Sequence, residues 1–159
     1  TTQTIPTLQE VLDFVNGQVP LLIELKTHRF SKKLEKNTLL LLKKYEGEVA
    51  LQSFNRSSVK WLSKQNHNYP VGQLAEPSLA IQPLNYIYNY LQLNKNMRPD
   101  FVAYDIDDLT NKRVSYFKEK GVPILLWTVR NQAQIDRYAT LFDNIIFEGF
   151  TPSLDHKKY

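Results

Sequence analysis

The chain has no cysteine, and that absence removes disulfide frameworks, zinc fingers, iron–sulfur clusters and cysteine nucleophiles together. It leaves the redox compartment open. Five glycines among 159 residues leave little for a phosphate-cradling loop, and no G-x-G-x-x-G, Walker, H-E-x-x-H or G-x-S-x-G pattern occurs. Long apolar runs are missing too. The longest, Leu39 to Leu42 and Ile124 to Trp127, fall far short of the ~18 residues that mark a membrane span. No initiator Met or signal peptide opens the sequence, which begins Thr1-Thr2-Gln3 and therefore reads as a processed chain or a piece of something longer.

What is present is ordinary globular composition, 42% hydrophobic, enough for one core and read as a single domain over residues 1–159. A net charge of +4 suits an anionic ligand, but the lysines are scattered. Lys32, Lys33, Lys36, Lys43 and Lys44 fall on one predicted helix, and such charges read as a solvated face. Tyr86, Tyr88 and Tyr90 could stack on bases, yet with Ile87 and Leu91 beside them they read as a packed helix. No nucleic-acid partner is expected.

The stretch Pro20 to His28 organises the rest. Leu21 to Leu25 is an apolar strand that carries a carboxylate, Glu24, and is followed by an ammonium, Lys26. Charges taken out of water are costly unless paired, so both should face a polar site at the strand's end. Before it, Thr7-Leu8-Gln9-Glu10 is a capping box and Gly17 a helix stop. After it, a helix opens near Ser31 with Leu34, Thr38, Leu41, Leu42 and Tyr45 on its apolar side and Gly47 at its end. Strands at 49–53, 71–74, 101–105, 124–128 and 144–148 then alternate with helices, Asn55 and Asn131 being helix caps and Ile87, Tyr90 and Leu91 lying on a helix between the third and fourth strands. Short, apolar, unalternating strands between helices imply an α/β fold with a parallel sheet. Strand order is not legible from spacing, so a doubly wound sheet and part of a barrel both stay open.

In a parallel sheet the carboxyl ends of the strands share one rim, and active sites lie there. Glu24 with Lys26, Ser53, Gln73, Asp105, Thr128 and Glu148 are the polar residues expected at that rim. Of the three histidines, His28 is close enough to Lys26 to reach the same mouth; His67 and His156 lie in polar stretches with less claim. Ser53 lacks an evident base, so a serine hydrolase has no support.

Four stretches carry a family resemblance: Ile5 to Leu12, Ile23-Glu24-Leu25-Lys26, Gln52-Ser53-Phe54-Asn55 and Trp127-Thr128-Val129. In this order and at these intervals they resemble the glycerophosphodiester phosphodiesterase family. The resemblance implies a TIM barrel, of which this chain holds the third to eighth strands. It implies hydrolysis of a glycerophosphodiester to an alcohol and glycerol 3-phosphate, in lipid and glycerol metabolism, with a divalent cation such as Ca²⁺ or Mg²⁺. By the same match Glu24 is a metal ligand, Lys26 lies near the phosphate, and Phe54 and Trp127 line the glycerol and phosphate pocket.

The departures are as informative. The family's His-Arg-Gly, Glu-x-Asp and His-Asp segments are absent, and a complete barrel takes ~250 residues. Phe147-Glu148 stands where the family has Thr-Asp, and the last helix is at most Ser153 to Tyr159. One carboxylate cannot satisfy Ca²⁺, which takes about 6–8 oxygen ligands, so the isolated chain is expected neither to retain the metal nor to hydrolyse diesters. The alternative is a non-catalytic binding or interaction module from a degenerate barrel, whose open edges call for self-association. A doubly wound metabolite-binding protein, with strands ordered 3-2-1-4-5-6, is a third reading.

Overall fold

The computed structural model describes residues 4–27, 31–76, 93, 98–109 and 111–153. Six parallel strands run in the order β1-β2-β3-β4-β5-β6: Leu21–Glu24, Val49–Ser53, Val71–Ala75, Phe101–Asp105, Ile124–Val129 and Asn144–Phe147. That unbroken sequential order excludes the doubly wound arrangement, whose strand order reverses at a switch point. The sheet instead curls into an open (β/α) barrel-type wall. The described helices are α1 (Leu8–Val15), α2 (Lys33–Leu42), α3 (Arg56–Leu62), α4 (Lys112–Glu119) and α5 (Gln132–Tyr138), with a 3₁₀ turn at Ile106–Asp108. The predicted helix around Ile87, the tyrosines Tyr86 to Tyr90, His28, His156 and the tail beyond Ser153 lie outside the described residues.

Helix starts follow the expected side-chain chemistry. The Thr7 hydroxyl accepts from the Glu10 amide, and the Glu10 carboxylate accepts from the Thr7 amide at 2.7 Å. Asn55 and Asn131 accept from Ser57 and Gln134 amides at 2.9 and 3.0 Å. The α1 stop has the expected left-handed Gly17, and the α2 stop differs from expectation. In α1 the first left-handed residue is Asn16, φ 44°, with Gly17 following at φ 73°. Asparagine tolerates that region because its short amide can bond locally. Helix α2 ends at Leu42, well before Gly47, over which the Tyr45 ring lies, 2.4 Å from where a Cβ would be.

The buried face of α2 is the predicted one at Thr38, Leu41, Leu42 and Tyr45, but not at its start. Leu34 is 45% exposed, whereas Glu35, Thr38 and Leu42 are buried. A fully buried carboxylate takes the place expected of leucine.

The two faces of the sheet carry different cores. Helices cover one face, where Leu12, Leu25, Leu42, Leu51, Val59, Leu62 and Val71 pack around β1 to β3, and Val102, Tyr104, Val114, Phe117, Ile124, Leu126 and Ile135 pack around β4 and β5. Each fully buried side chain of this kind contributes about 1.5–3 kcal/mol. The opposite, inner face holds a smaller cluster of Leu74, Phe101 and Ala103 with Ala50, Phe54, Leu125, Trp127 and Ile146 at its margin. Gly72 leaves room there for the Phe101 ring, which a Cβ would meet at 2.1 Å and displace. The outermost strands are the least buried: Leu22 of β1 and Phe147 of β6 are 40% and 47% exposed, while β3 is buried throughout.

Candidate functional site

Alternation places Ile23 and Leu25 against the helices and therefore Glu24 on the inner face. Register brings Glu24 opposite Gln52, and Gln52 opposite Gly72. Lys26, just beyond the strand, holds its ammonium 3.9 Å from the Glu24 carboxylate; their side chains are 76% and 28% exposed. A pair this open contributes little to stability. Its ammonium and carboxylate remain available to a ligand.

The backbone carrying these two residues is clamped from below. The Leu25 amide donates to the Gln52 carbonyl at 2.8 Å, and the Ser53 hydroxyl donates to the Leu25 carbonyl at 2.6 Å. Asn55 Nδ2 donates to Thr27 Oγ1 at 2.8 Å; Thr27 Oγ1 lies 2.8 Å from Ser58 Oγ, which donates to Glu35 Oε1 at 2.5 Å. An ionised carboxylate only accepts, so the chain of donors has one direction, from Asn55 through Thr27 and Ser58 to Glu35. Burial pushes the Glu35 carboxyl up, but hydrogen bonds from Ser58, its own amide and Lys32, with the Lys32 charge, outweigh burial and hold it below its ordinary value. Lys32 Nζ is 3.2 Å from Glu35 Oε1. Ser53 and Ser58, both fully buried, thus serve to fix Leu25 and Thr27 on either side of Lys26.

Across the inner face, Phe54 meets Trp127 edge to face with ring centroids 5.6 Å apart. Of the four residues implied by the resemblance, Glu24 of β1 thus meets Lys26 at the strand's exit, and Phe54, after β2, meets Trp127 of β5. Among the described residues four buried side-chain atoms have no partner: Glu35 Oε2 and Gln73 Oε1, on side chains with no exposure, and the Gln52 amide oxygen and Trp127 indole Nε1 on the inner face. An unpaired buried polar group costs about 1–3 kcal/mol.

The other rim candidates have local duties. Gln73 lies inside β3, fully buried, and donates to the Ser53, Phe54 and Leu74 carbonyls. Asp105 accepts from the Asp107 amide at 2.8 Å, and Glu148 pairs with Arg130 at 2.8 Å, both of these side chains well exposed. His67 lies 2.9 Å from the Leu62 carbonyl and accepts from the Tyr69 amide, in the turn before β3. Glu76, one residue past β3, escaped the sequence reading. Burial, then the charge of Asp105, raise its carboxyl above the ordinary value. An acidic residue after an apolar strand was the available signal.

Among the described residues no group of three or more His, Cys, Asp or Glu could hold a metal ion. Glu24 is a single carboxylate with a cation, Lys26, beside it. The described donor set therefore does not fit a divalent cation by itself.

Parallel strands in sequential order, each followed by a return to the next strand's start, with the polar groups gathered at their carboxyl rim, define a (β/α) barrel-type domain. Residues 1–146 match the glycerophosphoryl diester phosphodiesterase family, and the chain belongs to that family. It is 27% identical over 165 aligned positions to a glycerophosphodiester phosphodiesterase of Bacillus subtilis, covering 96% of this chain and 53% of that protein. Among solved structures, a glycerophosphodiester phosphodiesterase from Thermotoga maritima superposes with a TM-score of 0.65 at 21% identity, over 89% of this chain and 59% of the other. An Oleispira antarctica phosphodiesterase in complex with the product sn-glycerol-3-phosphate superposes with a TM-score of 0.65 at 16% identity, over 89% and 57%. The chain spans about half the length of these relatives.

Proposed function

We propose that this chain is part of a phosphoric diester hydrolase that splits glycerophosphodiesters into an alcohol and glycerol 3-phosphate. The observation that carries the reading is the inner face on which an ammonium beside a carboxylate, Lys26 and Glu24, lies on the same side as the Phe54–Trp127 ring pair. Lys26 supplies positive charge to a phosphodiester anion and to the charge that grows on its oxygens during hydrolysis. Phe54 and Trp127 give the glyceryl carbons an apolar wall. A divalent cation, Ca²⁺ or Mg²⁺, would polarise the phosphoryl oxygen in the complete enzyme, with Glu24 as one ligand. The described residues offer no further ligand set, so this chain alone is expected neither to hold the cation nor to turn over substrate.

The test is binding and turnover side by side. Glycerol 3-phosphate should raise the melting temperature of the chain, and Lys26→Ala should abolish that rise. Hydrolysis of glycerophosphocholine should stay at background with Ca²⁺ or Mg²⁺. Turnover by the isolated chain would overturn the inactive assignment; absence of any phosphate-ester binding would overturn the site.

A second reading, a non-catalytic module that self-associates, is favoured by the exposed edge strands β1 and β6, since unpaired strand edges template further pairing. Light scattering over a concentration series decides it: a concentration-dependent dimer supports association and a monomer at all concentrations removes it.

A further inference from the structure

Gln52 is 6% exposed, and its amide oxygen has no hydrogen-bond partner. Its neighbours in register explain why. On one side stands Glu24, an acceptor like the amide oxygen itself; on the other stands Gly72, which has no side chain and is roofed by the Phe101 ring. Neither neighbour can donate. Lys26, the nearest cation in sequence to Glu24, is engaged with that carboxylate and is mostly exposed. Buried polar groups in folded proteins are nearly always paired. Glu35 and Gln73 also keep an unpartnered oxygen but are fully buried, whereas Gln52 retains some exposure at the rim, where a ligand can supply the missing donor.

The chemistry of the orphan atom narrows that ligand. A phosphodiester anion brings acceptors only and cannot serve an amide oxygen. A hydroxyl can. We propose that Gln52 is the group by which this site recognises a free hydroxyl of the glyceryl moiety, the hydroxyl donating to Gln52 Oε1. This assignment rests on the glycerophosphodiester reading above and names its specificity-determining residue.

The experiment compares glycerol 3-phosphate with propyl phosphate, which keeps the phosphate and three carbons but has no hydroxyl. Both are titrated by calorimetry into the wild-type chain, Gln52→Leu and Gln52→Met, whose urea midpoints are also measured. The wild type should prefer glycerol 3-phosphate by roughly tenfold, since a site built to pair with a hydroxyl is left unpaired by its analogue. Both variants should bind the two ligands equally, at the wild-type affinity for propyl phosphate. Their urea midpoints should equal or exceed the wild type's, because an unpaired buried amide has been replaced by apolar atoms of similar size. A structural amide would give the opposite sign. Preference retained in both variants, or lower midpoints in both, overturns the proposal. If the wild type binds the two phosphates equally, Gln52 is excluded while the phosphate site stands; if it binds neither, the functional reading falls and Gln52 with it.

Discussion

The two ends of the same sheet treat their polar groups differently. At the amino end, Asp100 sits just before β4 and closes a reciprocal pair with the first residue of β3: its carboxylate accepts from the Val71 amide at 2.8 Å and its amide donates to the Val71 carbonyl at 2.9 Å. Asp143, just before β6, repeats this with Ile124 at 2.8 and 2.8 Å. Before β3 and β5 stand Pro70 and Pro123, whose carbonyls accept from Leu51 and Val102 at 2.9 Å each. The inner face at this end is an apolar groove of about 790 Å³ bordered by Leu22, Ala50, Phe101 and Leu125. At the carboxyl end, Glu24 and Lys26 are open to water and Gln52 and Trp127 each keep an unpartnered atom. One end spends its polar groups on holding strands in register. The other holds some in reserve, which is the division expected between the stabilising and the reactive face of a barrel.

The largest expected effect probes the exception to this contrast, the Glu35 clamp beneath the reactive rim. Glu35→Ala should cost about 3 kcal/mol at neutral pH, because it strands Ser58 and the mostly buried Lys32. The Glu35 carboxyl is held below its ordinary value, so its contribution is present above the unfolded-chain value of about 4.3 and is lost as pH falls through the lower folded value. Urea midpoints of wild type and variant should therefore converge on going from pH 7 to acid; a gap that is constant with pH would show that charge plays no part.

Next come the amino-end clasps. Asp143→Ala or Asp100→Ala removes the acceptor from a buried strand's first amide and should cost about 1–2 kcal/mol each in urea denaturation, with no change in glycerol 3-phosphate affinity. Loss of binding without loss of stability would invert the proposed division. The smallest stability effect belongs to Lys26→Ala, within about 0.5 kcal/mol of wild type, since its ion pair is exposed. The same variant should lose tenfold or more in affinity for glycerol 3-phosphate, measured by calorimetry. A stability loss matching that of Asp143→Ala would make Lys26 a structural residue.

Strand positions were legible because each is a short apolar run closed by Gly, Pro or a charge, and caps at Thr7, Asn55 and Asn131 were legible because their side chains act within three residues. Apart from the α2 stop, which comes at Leu42 and not at Gly47, the misreadings are long-range. Leu34 was assigned to the buried side of α2, yet Glu35 is buried instead, because Ser58, 23 residues away, supplies the hydrogen bond that makes this tolerable. Gln73 and Ser53 were expected at an open rim, but both are fully buried and donate to backbone carbonyls, the Gln73 nitrogen to Ser53, Phe54 and Leu74 and the Ser53 hydroxyl to Leu25. Gln52 stood in a recognised stretch without a role, since an unpaired oxygen is visible only once its neighbours in register are known.

By itself the sequence determined the alternation of helix and strand, the family, and the charged end of β1, all of which depend on residues close together in the chain. Tertiary structure decided the sequential order of the strands and the meeting of Phe54 with Trp127. It also decided which polar groups are used up and which are left over. Periodicity encodes which face of an element is buried, but a hydrogen bond needs a particular partner at about 3 Å, and that partner is chosen by register between strands 20 to 30 residues apart.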